Sequence, residues 1–148
     1  MDAPKPIFKH TFQIKIENVS EDSSPEYFYA VEGLGLIYQT EQYLPGGYNQ
    51  PFAIPTVYQT TNLILKRPLL VDKTEITKWC EETLDTGVFK PTVAHIFVLG
   101  RNEEVRVHWS AEGIYPLGFK LSSLDVEQGN SVIVETITLA YSRLSRVS

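Results

Sequence analysis

Residues 93–109 read VAHIFVLGRNEEVRVHW and carry the clearest structural signal in the chain. Apolar and polar residues alternate on both sides of a polar turn, a pattern typical of an antiparallel β-hairpin. With the turn centred on residues 101–102, Ile96 lies opposite Val107. One face of the hairpin is then uniformly apolar, so we expect that face to pack on a core.

The other face of this hairpin is mixed and contains two histidines. The same register places His95 opposite His108, and Phe97 opposite Arg106. Two facing histidines suit two metal ligands, but the spacing of the sequence implies no third ligand. We therefore interpret them as a polar cross-strand pair and expect neither a metal nor a cofactor.

Strand periodicity extends over most of the chain. Apolar and polar residues alternate over 12–16, and residues 27–31 and 36–43 are rich in aromatic and β-branched residues, which makes them candidates for another hairpin. Residues 62–65 form a further strand, and 112–129 are expected to be irregular. The last strand, 132–141, is long and β-branched, and such a strand left unpaired would invite pairing with another chain.

Regular patterning stops between residues 44 and 58, where prolines and glycines interrupt every period. The segment is nevertheless apolar, which disfavours disorder, and long irregular loops in compact domains are usually functional. We predict that it contacts another subunit, and its glycines allow close backbone approach. The predicted contact residues are Gly46, Gly47, Tyr48, Asn49, Phe52, Ile54 and Val57.

One helix is well specified. Asp72 as N-cap and Glu75 three residues later resemble a capping box, Val71 and Ile76 occupy the staple positions, and Gly87 suits the C-terminal end. An apolar stripe faces the core, and acidic side chains lie largely away from it. The stripe consists of Ile76, Trp79, Cys80 and Leu84.

Length and composition favour one folded domain over residues 1–148. Hydrophobic residues make up 43% of the 148 residues and charged residues 21%, close to the average for globular chains. The net charge of −5 disfavours an external nucleic-acid or anionic-membrane surface. The chain has neither an apolar run of membrane-spanning length nor a secretory signal, so we expect cytoplasmic synthesis and no membrane anchor.

Local signatures of catalysis are absent. The glycine pair at Gly33 and Gly35 lacks the third glycine and the helix of a nucleotide fingerprint, so a bend or bulge is the better interpretation. The single cysteine, Cys80, lies on the apolar stripe and is expected to behave as a small core residue. No nucleophile elbow or zinc-protease motif occurs, and we expect no enzyme activity.

The order of features resembles a known family, the tail tube proteins of contractile-tailed phages and phage-derived contractile injection systems. The resemblance spans nearly the whole chain, with departures at Pro68 and at residues 111–116. It is carried by FYAVEGLG at 28–35, LIYQTEQY at 36–43, LPGGYNQ at 44–50, TNLILKRPL at 61–69, EVRVHW at 104–109 and VIVETITLAY at 132–141.

This resemblance implies a mainly β fold of two packed antiparallel sheets with one flanking helix. It also implies that six subunits close a ring around a shared β-barrel, and that rings stack into a hollow inner tube within a contractile sheath. The expected partners are other copies of this chain, the sheath protein, baseplate or hub and tube-terminating proteins, and cargo in the lumen, either a protein effector or DNA. The resemblance also implies assembly in the cytoplasm, in a particle that can be released from the cell.

Two surfaces are expected to serve such a tube. The acidic face of the helix, formed by Glu75, Glu81, Glu82 and Asp85, is the candidate contact with the sheath, because exposed charge pairs allow release. Glu135 is the candidate for an acidic or neutral lumen wall. A baseplate-proximal ring and a DNA-conducting phage tail tube remain alternatives, and a β-sandwich ligand-binding module and a small hydrolase are more remote.

Overall fold

A computed structural model of the chain describes residues 11–20, 25–102, 104–122 and 132–147. Within these ranges the chain forms ten β-strands and one α-helix. In chain order they are β1 (Thr11–Ile16), β2 (Glu26–Phe28), β3 (Ala30–Glu32), β4 (Leu36–Tyr43), β5 (Phe52–Thr60), β6 (Leu63–Pro68), α1 (Glu75–Thr86), β7 (Thr92–Leu99), β8 (Val105–Leu121), β9 (Val134–Ala140) and β10 (Arg143–Arg146).

Eight of these strands form two antiparallel half-sheets that share β8. The first half-sheet has the order β2-β1-β7-β8, with β10 also on β8, and the second has the order β8-β9-β6-β3. Residues of β8 up to Ile114 pair with β7, whereas those from Tyr115 onward pair with β9. The 17-residue β8 therefore passes from one half-sheet to the other.

A single buried cluster contains side chains from both half-sheets and the helix. Ile14 and Ile96 come from the first half-sheet, Leu65 and Ile137 from the second, and Ile76 from α1. Complete burial of each such side chain contributes about 1.5–3 kcal/mol relative to exposure. The expected fold class, mainly β with two antiparallel sheets and one helix, is confirmed.

The central hairpin of β7 and β8 has a register two residues away from the expected one. Ile96 pairs with Trp109, not with Val107, because a bulge follows Val98 and the turn closes through a bond from the Gly100 N–H to the Glu104 carbonyl. A shift of two residues keeps the side chains before the bulge on their expected faces, since successive side chains point to opposite faces. Ile96, Val98 and Val107 are buried as expected, whereas Val105, beyond the bulge and opposite Leu99, is 52% exposed and does not belong to the buried face.

The second half of the segment expected to be an irregular loop belongs to a strand. Residues 52–60 form β5, which pairs with β4, and only residues 44–51 connect them. We call residues 36–60 the arm. A proline is tolerated at position 55 because β5 has β4 as its only strand partner within the described residues and so keeps an open edge.

Residues 27–31, which were expected to form a hairpin with residues 36–43, do not pair with them. A bend at Tyr29 divides these residues into β2, which pairs with β1, and β3, which pairs with β6.

The last long strand is not an edge strand, since β9 lies between β6 and β8. Residues 112–121 are part of β8 and not irregular, and residues 123–129 lie outside the described part of the chain.

The helix begins two residues later than expected. Thr74 is the N-cap, and its hydroxyl accepts a bond from the Thr77 N–H, whereas Val71 is fully exposed and forms no staple. The Glu26 carboxylate, 3.3 Å from the Ile76 N–H, provides a second acceptor at this end. The predicted C-cap is confirmed, with Gly87 in the left-handed conformation. No helix within the described ranges is both long enough and apolar enough for a membrane span.

Candidate assembly surfaces

The arm exposes apolar side chains that a lone subunit does not cover. Phe52 is 49% exposed and Ile54 43%, and Phe52 packs edge-on against Tyr48 with their ring centroids 5.5 Å apart. All seven predicted contact residues lie on the arm and are exposed. Contiguous exposed apolar surface on a soluble chain marks an interaction site.

The first strand of the arm, β4, adds exposed apolar surface that was not predicted as part of the contact. Every residue of β4 is exposed, although its pattern resembles that of a core strand. The signal that could have shown this is the absence of strict alternation, because apolar residues occupy adjacent positions and so both faces. The further exposed residues are Leu36, Ile37, Tyr38, Tyr43 and Leu44.

The acidic residues of the helix lie on its outer side, but two of them have lysine partners. Glu81 lies 2.8 Å from the ammonium of Lys73, and Glu75 lies 3.5 Å from that of Lys78. The other two, Glu82 and Asp85, are exposed and have no lysine or arginine nitrogen within 4.0 Å in the described part of the chain. These two carboxylates carry most of the uncompensated charge of this face.

The same face forms one side of an open groove. Glu81, Glu82 and Asp85 line it together with Lys78 and Leu84, and Phe119 of β8 also contributes to the lining. The groove combines an excess of negative charge with two apolar side chains. A basic segment with an apolar side chain is chemically complementary to this surface.

Glu135 is not available to line a channel, which corrects the expectation from the sequence. The residue is 3% exposed, and its carboxylate lies 3.1 Å from Arg67, whose guanidinium also contacts Glu26 at 3.0 Å. Thr74 and Thr77 accept bonds from the same guanidinium at 2.8 and 2.9 Å. This buried polar cluster joins β2, β6, β9 and the start of the helix.

Sequence reasoning did not identify Arg67, although a signal was present. Arg67 follows Leu63 and Leu65 at a spacing of two, and both of these leucines are buried. Its guanidinium also lies 4.5 Å from the centre of the Phe28 ring, a cation–π contact. A charged residue at an inward position of a strand requires a buried partner of opposite charge.

Cys80 behaves as the core residue that its position on the helix predicts. The side chain is buried, and burial together with the nearby Glu135 carboxylate raises the pKa of the thiol to about 12. The thiolate is the nucleophilic form of cysteine. The environment of Cys80 therefore suppresses thiol chemistry.

The two histidines meet despite the changed register. His95 Nδ1 lies 2.9 Å from His108 Nε2, and His95 Nε2 lies 2.9 Å from Glu17. Phe97 stacks on His108 with a centroid distance of 4.4 Å. Burial and the neighbouring His95 lower the pKa of His108. Among the described residues no group of three or more potential metal ligands occurs.

Comparisons with known proteins agree with this architecture. A family model described as T4-like virus tail tube protein gp19 matches residues 8–145. No curated protein sequence matches the chain. A chain of the sheath–tube complex of the extracellular contractile injection system PVC, in the extended state, is 24% identical with a TM-score of 0.79, over 97% of this chain and 92% of that chain.

Two more solved structures share the fold. A chain of the anti-feeding prophage tube-terminating cap is 21% identical with a TM-score of 0.81, over 100% of this chain and 95% of that chain. Hcp1 from Salmonella typhimurium is 15% identical with a TM-score of 0.54, over 90% and 83% of the two chains. Because the family model covers nearly the whole sequence, the chain belongs to the family of T4-like virus tail tube protein gp19, whose members are structural tube proteins.

Proposed function

We propose that this chain is the inner tube subunit of a contractile injection system, in which hexameric rings stack into a hollow, non-catalytic tube. The observation that carries the proposal is the arm, whose exposed apolar side chains in a lone subunit require a partner. Membership of the tail tube family supports a second copy of this chain as that partner.

The strand topology supports closure into a ring. Within the described residues β4 and β5 pair only with each other, and β2 and β3 end the two half-sheets, so each of these strands has an open edge. Open edges favour pairing with further strands, and a closed ring of identical subunits removes them without a free end. The injection-system assignment draws on the fold shared with chains of the sheath–tube complex and the cap.

We propose that the outer face of the second half-sheet lines the channel. Thr136 and Thr138 lie on the face of β9 opposite to Glu135 and are half-exposed. On the same face Lys66 and Glu32 approach to 3.5 Å and offset each other's charge, and the exposed Lys120, opposite Thr136, adds a positive charge. A wall that carries few net charges lets charged cargo pass without trapping it, whereas a strongly basic wall would retain nucleic acid or acidic protein.

Electron microscopy of the purified chain tests the main proposal. We expect six-membered rings, and short stacks of rings at high protein concentration, because the arms are then covered. Compact monomers at every concentration would contradict the proposal and favour a ligand-binding β-sandwich. Rings that never stack with one another but bind a baseplate component would identify a baseplate-proximal ring, and DNA in the lumen of native particles would identify a phage tail tube.

We further propose that the sheath docks on the acidic groove of the helix through a basic segment. The Glu82→Lys and Asp85→Lys double variant should form normal tubes and yet weaken sheath assembly on them. Each exposed ion pair contributes only about 0–1 kcal/mol, but the contact repeats around every ring. Sheath-covered length per tube, measured by electron microscopy in a salt series, reports the effect.

The matched control is Glu82→Gln with Asp85→Asn, which removes the charges without reversing them. It should retain more sheath assembly than the lysine variant, and the difference should narrow at high salt, where the Debye length falls to roughly 3 Å. Sheath assembly that is identical for both variants and the unmodified chain at low salt would rule out this groove as the docking site.

A further inference from the structure

The two ends of the arm meet at a cluster of polar contacts, which we call the arm root. It consists of Gly33 and Gly35 before β4, Thr60 and Thr61 at the end of β5, and Tyr141 directly after β9. Tyr141 is 4% exposed and belongs to the main core cluster. The arm root therefore connects an exposed element to the buried centre of the subunit.

The Tyr141 hydroxyl holds the entry to the arm. It lies 2.6 Å from the Gly33 carbonyl and 3.0 Å from the Gly35 carbonyl, and it accepts a bond from the Gly35 N–H at 3.1 Å. A tyrosine hydroxyl has one proton, so the two carbonyls compete for it and the shorter contact to Gly33 is the donated bond. One side chain thus binds the backbone on both sides of Leu34.

The exit from the arm is held at the same place. The Thr60 hydroxyl donates to the backbone carbonyl of Tyr141 at 2.5 Å, and the Thr61 hydroxyl donates to the Gly33 carbonyl at 2.8 Å. Gly33 has φ +89°, and a Cβ at this position would lie 1.8 Å from the Asn62 carbonyl oxygen. The entry and exit chains consequently approach too closely for any side chain larger than that of glycine.

The arm itself cannot fix its own direction. A two-stranded hairpin is marginally stable in water, and within the described residues the strands of the arm pair with no other strand. Its orientation relative to the core must therefore come from the root and from Leu34, whose partly buried side chain packs against the core cluster. Of the polar contacts at the root, those of the Tyr141 side chain join the arm to the core cluster.

We propose that Tyr141 is a positioning residue for assembly, whose hydroxyl sets the direction of the arm before a second subunit binds. This inference rests on the proposed role of the arm in contacts between copies of this chain. An arm that is held in its bound direction loses less conformational freedom on association, and such preorganisation strengthens binding without adding a contact. Loss of the hydroxyl should therefore weaken assembly although Tyr141 is buried within its own subunit.

The test is Tyr141→Phe, which keeps the ring in the core and removes the hydroxyl. Hydrogen exchange measured on one oligomeric species isolated by gel filtration should accelerate about tenfold for amides of the arm, the factor that corresponds to 1.4 kcal/mol, as expected from the loss of one hydrogen bond. Exchange in β6 and β9 should stay unchanged. The protein concentration needed for tube formation should rise by about tenfold or more.

Three further variants keep the proposal falsifiable. Thr60→Val removes the bond from the Thr60 hydroxyl to the Tyr141 carbonyl without changing the core, and it should also accelerate exchange in the arm. Thr60→Ser retains a hydroxyl and should behave as the unmodified chain. Tyr115→Phe removes a tyrosine hydroxyl of β8 that takes no part in the hydrogen bonds of the root, since the Tyr115 ring packs on Phe89, and it should not change exchange in the arm.

The outcomes separate this inference from the proposed function. Equal exchange of the arm in Tyr141→Phe, Thr60→Val and the unmodified chain would overturn the positioning role, whatever happens to assembly. Faster exchange with an unchanged concentration for tube formation would show that arm direction does not limit assembly, and would also overturn it. A chain that forms no rings or tubes even without substitution would instead refute the proposed function.

Discussion

Replacing Phe52 and Ile54 together by Asp is expected to abolish stacking of rings into tubes while leaving the subunit folded. Both side chains are about half exposed and lie on the arm, outside the core cluster. Burial of each against a partner would contribute up to about 1.5–3 kcal/mol, whereas burying an unpaired carboxylate there costs several kcal/mol. Sedimentation and electron microscopy measure the tubes, and thermal unfolding checks the fold.

A control with the same added charge isolates the apolar contact. Gln42→Asp with Gln59→Asp also places two carboxylates on the exposed arm, but it removes no apolar surface. This control should retain most of its tube formation at moderate salt, because exposed charges are screened. Tubes of normal length and number from the Phe52 and Ile54 variant would show that the arm is not the stacking contact.

Arg67→Met is expected to destabilise the isolated subunit by about 3–5 kcal/mol, the usual cost of removing one partner from a buried ion pair. The Arg67 side chain is 3% exposed and lies between the carboxylates of Glu26 and Glu135. Without the guanidinium, two buried carboxylates face each other with no cation between them. Urea unfolding followed by circular dichroism measures the loss as a lower midpoint.

Two comparisons identify the cause of that loss. Lys66→Met, on the same strand, removes only the exposed contact with Glu32 and should change stability by about 0–1 kcal/mol. Adding Glu26→Gln and Glu135→Gln to Arg67→Met should restore part of the lost stability, since neutral amides need no cation. If the triple variant is no more stable than Arg67→Met alone, the loss comes from packing and not from uncompensated charge.

Features that depend on neighbouring residues could be predicted from the sequence. The alternation in β1 and the bounds of β4 agree with the structure, as do the left-handed Gly87 and the buried Cys80. The same alternation could have placed Glu135 correctly, because it shares a face with the buried Ile137. The lumen assignment was wrong because the charge of Glu135 was considered without its position in the strand.

Features that depend on distant parts of the chain could not be predicted. The pairing of β5 with β4 was hidden by Pro55, which is compatible with a strand only where an edge stays open. The helix starts later than expected because Thr74, and not Asp72, is the N-cap, and because tertiary contacts bring Glu26 to this end as a second acceptor. For the proposed assembly surface, the sequence predicted the apolar contact residues of the arm. It did not predict the pairing of β4 with β5 or the contacts of the arm root.

The buried thiol has a practical consequence for mapping this protein. Burial raises the pKa of the Cys80 thiol to about 12 and so disfavours the reactive thiolate at neutral pH, and maleimide reagents should therefore leave it unmodified in the folded chain. A cysteine introduced at an exposed position of the arm, such as Gln59, would then be the only reactive one. Fluorescent or cross-linking probes can therefore be attached to chosen surface sites without first replacing the native cysteine.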